Sequence, residues 1–205
     1  MSTRYRSTLP LIAAAALVAL PALAQAQQSA GRLSYTYGDA RLVIQDPDNG
    51  DDFTGVRVAG SAQFQHNLFV TGAITTVGSD NVDIDTLDLG LGFRHPIAAD
   101  TDFVAGAGLI WADVDTPGNG GDDDTGLSLL GGVRSLVGPQ FELGGYASYA
   151  EVFGDGDITL TGEGLLHLTP QWSLAGSLGF SDDFTILTVG GRYNFGGRAS
   201  SRAAL

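Results

Sequence analysis

Ten stretches of this chain alternate in hydrophobicity with a period of two, and the connections between them are of two kinds that also alternate. The stretches are Arg32–Ile44, Gly55–Phe64, Leu68–Val77, Thr86–Arg94, Thr101–Ala112, Thr125–Ser135, Phe141–Glu151, Ile158–Leu168, Gln171–Phe180 and Phe184–Phe195. The connections "QHN", "HPIAAD", "LVGPQ" and "TP" are short and hold a single acid, whereas "QDPDNGDDFT", "GSDNVDID", "DVDTPGNGGDDD", "VFGDGD" and "SDD" are mostly longer and acidic. A period of two puts successive side chains on opposite faces of a strand. An ordinary two-faced sheet has no reason to sort its connections by length and charge. A barrel crossing a membrane does, because its two rims face different compartments.

The faces agree with that reading. Leu87, Leu89, Leu91 and Phe93 share one parity, as do Phe103, Ala105, Ala107, Leu109 and Trp111, and then Trp172, Leu174, Gly176, Leu178 and Phe180. After the first stretch, where "DARLVIQ" breaks the alternation, the charged residues Arg57, Asp88, Arg94, Asp102, Arg134, Glu142, Glu163 and Arg192 all fall on the other parity. Glu151 is the exception. A soluble β-sandwich also alternates, but its charges face water and its apolar face is the interior. Here the aromatics gather at the strand ends of the apolar parity. Phe64, Phe93, Phe103, Phe141, Trp172, Tyr193 and Phe195 lie toward the short turns, and Trp111, Tyr149 and Phe180 toward the longer loops. That is the pattern of two interfacial girdles around a lipid-facing band. The expected fold is all-β: an antiparallel up-and-down transmembrane β-barrel of ten strands, with eight as the alternative if the first pair is irregular.

The N-terminus carries Arg4 and Arg6, an apolar run from Leu11 to Leu20 and small residues at Ala22, Ala24 and Ala26. This reads as a secretory signal peptide over residues 1–26, since the run is shorter than the roughly 20 residues of a spanning helix and is broken by Pro21. A short segment, 27–32, then precedes a barrel over 33–195 and a flexible tail over 196–205. There is no cysteine to lipidate, oxidise or hold a metal. Removing Arg4 and Arg6 takes the formal charge from −13 to −15, which argues against nucleic acid as a partner.

The last stretch ends in "TVGGRYNF", with Thr188, Gly190, Tyr193 and Phe195 in the order polar, glycine, aromatic, aromatic. It resembles the C-terminal signal by which outer-membrane barrels are recognised by their assembly machinery, although such chains usually end at the final aromatic. From about Leu33 to Phe195 the chain resembles the small OmpA/OmpX-type barrels of Gram-negative outer membranes, without a peptidoglycan-binding domain. That resemblance implies export through the secretion translocon, a partner in the assembly machinery, outer-membrane lipid around the wall, and a structural, adhesive, protective or narrowly conducting role.

Catalysis is not expected. The three histidines, His66, His95 and His167, lie in or beside the short turns, away from the acidic loops. "DPDNGDD" looks like part of a calcium loop, but its Gly50 is fifth rather than sixth and no bidentate Glu follows. The loops therefore read as solvated and mutually repelling, with weak divalent-cation association at most and no cofactor. The glycine-rich stretches are no phosphate cradles, since none leads from a strand into a helix and the chain has no lysine. The expected function is a structural or surface role with a packed, charged lumen. The alternatives are a narrow passive pore, favoured by small interior residues such as Ala59, Ser61, Gly106, Gly108, Ser128, Thr159 and Ser177, and adhesion through the loops, disfavoured by their shortness and their lack of aromatics beyond Phe53 and Phe153.

Overall fold

A computed structural model describes residues 33–48, 50–80, 82–116 and 120–195. The expected signal peptide, the 27–32 segment and the 196–205 tail lie outside these residues. Ten antiparallel strands form: β1 (Tyr37–Pro47), β2 (Phe53–Gln63), β3 (Leu68–Gly78), β4 (Asp83–Ala98), β5 (Thr101–Thr116), β6 (Gly120–Val137), β7 (Phe141–Val152), β8 (Asp155–His167), β9 (Trp172–Phe180) and β10 (Phe184–Asn194). Each pairs with its neighbour in sequence, and β1 pairs with β10 to close a ten-stranded barrel. Closure leaves no edge, so every backbone group can be satisfied within the wall.

The distribution of side chains is inside-out relative to a soluble protein. Leu91 and Leu42 on the outer face are 63% and 61% exposed, while Arg94 and Glu142 on the inner face are 2% exposed. Only lipid makes such an outer face favourable. β1 corrects the expected irregularity. Its ladder begins at Tyr37 rather than Arg32 and alternates cleanly, with Asp39, Arg41 and Val43 buried inside and Ala40, Leu42 and Ile44 exposed outside. The apparent break was a pair of lumen charges.

The long-loop rim also differs from expectation. Much of "GSDNVDID" and "DVDTPGNGGDDD" is strand, so β4, β5 and β6 reach 16, 16 and 18 residues. A crossing needs only about 9–11. These three strands therefore run past the bilayer, because each keeps its ladder partners after the apolar band ends. On the outer parity beyond Trp111, Asp113 sits directly between Asp85 and Asp123. Like charges directly opposite cost a few tenths of a kcal/mol to about 1 kcal/mol. Asp113→Asn is accordingly expected to raise the temperature at which the detergent-solubilised barrel unfolds at neutral pH. The gain should vanish in acid, where the carboxylates are neutral. A rise that persists in acid would show that charge repulsion is not its source.

Candidate functional site

The lumen is the site. Every arginine among the described residues faces it, and each is paired with a carboxylate. Asp39 on β1 lies directly opposite Arg192 on β10 in the ladder, and two residues on, Arg41 lies opposite Gly190, which has no side chain to compete for the space. The result is a ring of four groups. Arg192 reaches Asp39 at 2.9 Å and Glu163 at 3.1 Å, and Arg41 contacts Asp39 at 2.6 Å and also Glu163. Glu163 reaches this ring from β8 across β9 because the residue between is the small Ser177, which bonds Thr188 at 2.7 Å. Thr188 in turn accepts from Arg41. Tyr146 donates to the other Glu163 oxygen.

Below the ring, toward the short turns, Arg94 pairs with Asp102 at 3.1 Å, and Arg134 Nε donates to Glu142 at 2.8 Å. Arg94 and Asp102 are equidistant in sequence from Ala98, and Arg134 and Glu142 from Gly138, so a symmetric hairpin would put each pair directly across its ladder. The register is different: Arg94 opposes Val104 on β5 and Arg134 opposes Gly144 on β7, so both pairs reach diagonally, while on its other side Arg134 stands opposite Asp102 of β5. The β6–β7 turn centres one residue later than its sequence symmetry suggests, which moves every partner by two. Arg57 and Asp88 stand apart, 3.6 Å from each other with side chains 37% and 30% exposed, and Arg57 also donates to Thr75. Five arginines thus meet five carboxylates, and the paired lumen carries no net charge.

The residues Leu33 to Thr36, expected as the start of the wall, instead turn into this lumen. Leu33 and Tyr35 are buried with the inward-facing Phe69, Val104 and Leu136, the one hydrophobic cluster among the described residues. The Phe69 ring covers the face of Gly92 opposite it. Tyr35 donates its hydroxyl to Asp102 at 3.0 Å, and the Arg94 and Arg134 guanidinium carbons lie 5.0 and 4.5 Å from its ring centroid. Arg134 donates to the Ser34 carbonyl, Ser61 donates to the Tyr35 carbonyl, and the Gln63 amide donates to Thr36. Directly above Tyr35 lies an open-sided cavity of about 440 Å³ whose lining includes Arg57, Asp88, Tyr146 and Glu163.

Asp39, Arg41, Tyr35 and Tyr146 were not among the residues singled out from the sequence. The signal for the first two was present, because Tyr37, Asp39, Arg41 and Val43 share one parity.

His167 bonds Ser173 through Nδ1 at 2.7 Å and approaches Glu142 with Nε2 at 3.5 Å. A hydroxyl, an imidazole and a carboxylate in line invite a catalytic reading. Ser173 is 2% exposed and is not among the residues lining the lumen cavity. His66 and His95 stay at the short-turn end, His95 stacked beside Phe93. No group of three or more His, Asp or Glu among the described residues is placed to hold a metal ion.

On the outside, Phe64, Phe93, Phe103, Phe141, Trp172, Phe180 and Phe195 are exposed on the lipid face, with Trp111 and Tyr149 half-buried. Trp172, Tyr193 and Phe195 stack edge to face, with ring centroids 4.9 and 5.2 Å apart. Glu151, on the lipid parity at the end of its strand, accepts from the Tyr149 hydroxyl at 3.0 Å.

A closed antiparallel barrel with an apolar outside, aromatic strand ends and an arginine–carboxylate lumen is an integral outer-membrane barrel by class. Residues 11–159 match the family model of the outer membrane protein beta-barrel domain, and the chain belongs to that family. No curated protein sequence matches the chain. Among solved structures it is similar to the KdgM porin in complex with disordered oligogalacturonate, at 13% identity over 77% of this chain and 98% of that one, with a TM-score of 0.48. It is also similar to the Ail attachment invasion locus protein of Yersinia pestis, at 13% identity over 78% and 96% with a TM-score of 0.40. The N-terminal barrel of Pseudomonas aeruginosa OprF aligns at 9% identity over 78% and 98%, with a TM-score of 0.41.

Proposed function

We propose that this protein is a structural barrel of the Gram-negative outer membrane, closed to solutes at rest, non-catalytic, and presenting an acidic rim to the exterior. The observation that supports the closed lumen is its short-turn half, where Leu33 to Thr36, Arg94–Asp102 and Arg134–Glu142 fill the cross-section with groups that satisfy one another. Of the lumen pairs only Arg57 and Asp88, above this floor, keep side chains about one third exposed. In this reading the partners are bilayer lipid at the aromatic bands and the assembly machinery at Thr188, Gly190, Tyr193 and Phe195. Export through the secretion translocon follows from the leader, and weak divalent-cation association belongs to the acidic rim.

The test is single-channel recording on the purified mature protein in planar bilayers. The expected result is insertion, reported by the heat-dependent gel shift of a closed barrel, without conductance. A steady ohmic current from the parent protein would replace the closed scaffold with the passive pore.

A further inference from the structure

We infer that Leu33 to Thr36 is a removable plug and that the barrel is a latent ion channel held shut by its own N-terminal segment. The inference rests on the closed resting lumen proposed above and adds what closes it and what opening requires.

The plug is separable from the wall. Closure of the barrel is made by β1 and β10, whose register runs without a break from Tyr37 opposite Asn194 to Pro47 opposite Phe184. Residues 33 to 35 take no part in that ladder. Their ties to the wall are side-chain contacts, and Thr36 adds one backbone bond, from the Phe195 amide to its carbonyl at 3.1 Å. Withdrawing the segment would therefore leave the wall intact.

The plug is also electrically neutral, and its departure strands no charge. Tyr35 lends Asp102 one hydrogen bond and gives Arg94 and Arg134 the face of its ring, but Arg94 keeps Asp102 and Arg134 keeps Glu142. What remains is a collar of paired charges that water can wet. Losing an uncharged partner from such a collar is far less costly than breaking either ion pair, which is the condition for two accessible states.

Finally, the plug is the floor of the cavity. Tyr35 belongs both to the buried cluster below and to the lining of the 440 Å³ cavity above. Withdrawing the segment joins the cavity to the short-turn mouth, and Tyr35→Ala favours that withdrawal by removing the segment's anchors to Asp102, Arg94 and Arg134. The passage would run past equal numbers of arginines and carboxylates, so small cations and anions should pass with little discrimination.

Four full-length mature proteins are compared in planar bilayers, each first checked for the heat-dependent gel shift: the parent, Tyr35→Ala, Tyr35→Phe, and Tyr35→Ala carrying Leu33→Cys and Leu136→Cys. The chain has no native cysteine to interfere. The expected results are silence from the parent, resolvable ohmic openings from Tyr35→Ala, and silence from Tyr35→Phe, whose ring still seats both guanidinium groups. The doubly cysteine-substituted protein should be silent when oxidised and conduct after reduction. A fifth chain, with the mature protein begun at Tyr37, should conduct as Tyr35→Ala does.

A silent parent with silent but heat-shifting Tyr35→Ala and truncated chains would overturn the plug while leaving the closed scaffold standing. A parent that conducts as well as Tyr35→Ala would overturn the closed scaffold itself. Loss of the gel shift in both Tyr35→Ala and the truncated chain would make the segment part of the wall's stability, and would overturn the plug equally.

Discussion

Glu142→Ala is expected to unfold in detergent or lipid at markedly lower denaturant than the parent, by about 3–5 kcal/mol if the lumen floor stays dry. Arg134 would keep the Ser34 carbonyl and the Tyr35 ring as direct partners while remaining 5% exposed, and the Asp102 opposite it already serves Arg94 and Tyr35. A buried guanidinium without a carboxylate bears its full desolvation cost. Arg134→Ala should cost a similar amount for the converse reason, since Glu142 would be left with only the His167 imidazole 3.5 Å away. The double substitution should cost less than the two single ones together, because it removes both buried charges. Arg134→Ala has one further consequence. It releases Ser34, so this variant, unlike Glu142→Ala, removes a direct tie to the N-terminal segment. A double-mutant cycle on the denaturant transition measures the coupling. Strict additivity would mean that water already solvates both groups, and the filled floor would have to be abandoned.

Gly190→Ala should cut the yield of assembled barrel far more than one methyl group ordinarily does. A Cβ at Gly190 would run into the carbonyl oxygen of Ala40 and the Cα of Arg41, both backbone atoms of β1 that no side-chain rotation can move aside. These atoms lie on the seam where the first strand meets the last, so relief requires the closing strands to separate. Overpacking in a well-filled site costs about 1–3 kcal/mol, and at least the upper end is expected here. Gly162→Ala is the control, because a Cβ there meets nothing within 4 Å. The measurement is the fraction of outer-membrane protein showing the heat-dependent gel shift. Equal fractions for Gly190→Ala and Gly162→Ala would remove the steric account of the glycine in "TVGGRYNF". If Tyr193→Ala with Phe195→Ala alone lowered that fraction, the aromatic end would carry the signal.

Several features were legible in the chain because they are local. Strand parity needs only neighbouring residues, so Arg57, Asp88, Arg94, Asp102, Arg134, Glu142, Glu163 and Arg192 could be assigned to the interior one strand at a time. Asp39 and Arg41 obey the same rule, and were passed over because two adjacent lumen charges in a short stretch resemble a broken pattern. The acidic stretches misled for a related reason. Aspartate is a poor strand former in isolation, yet the ladder runs on to Asp83 opposite Asp115 on one side of β5 and to Asp115 opposite Gly121 on the other, and holds these residues extended.

The amino-acid sequence by itself determined the class of this protein: a membrane-crossing barrel, its lipid face and its charged interior, with ten strands or eight; the closed structure has ten. Alternation, aromatic ends and the sorting of turns are each written within a few consecutive residues. Only the tertiary structure decided which charge meets which. A one-residue displacement of a hairpin's centre moves each partner by two, and the contacts among Asp39, Arg41, Glu163 and Arg192 join strands up to 153 residues apart in the chain. The plug was likewise invisible beforehand. Leu33 and Tyr35 carry the same parity as Tyr37 and Asp39, and nothing local distinguishes a chain that continues along the wall from one that turns inward. The turn is set by Asp102, Arg94 and Arg134, which lie across the lumen and come within reach of Tyr35 once the barrel has closed.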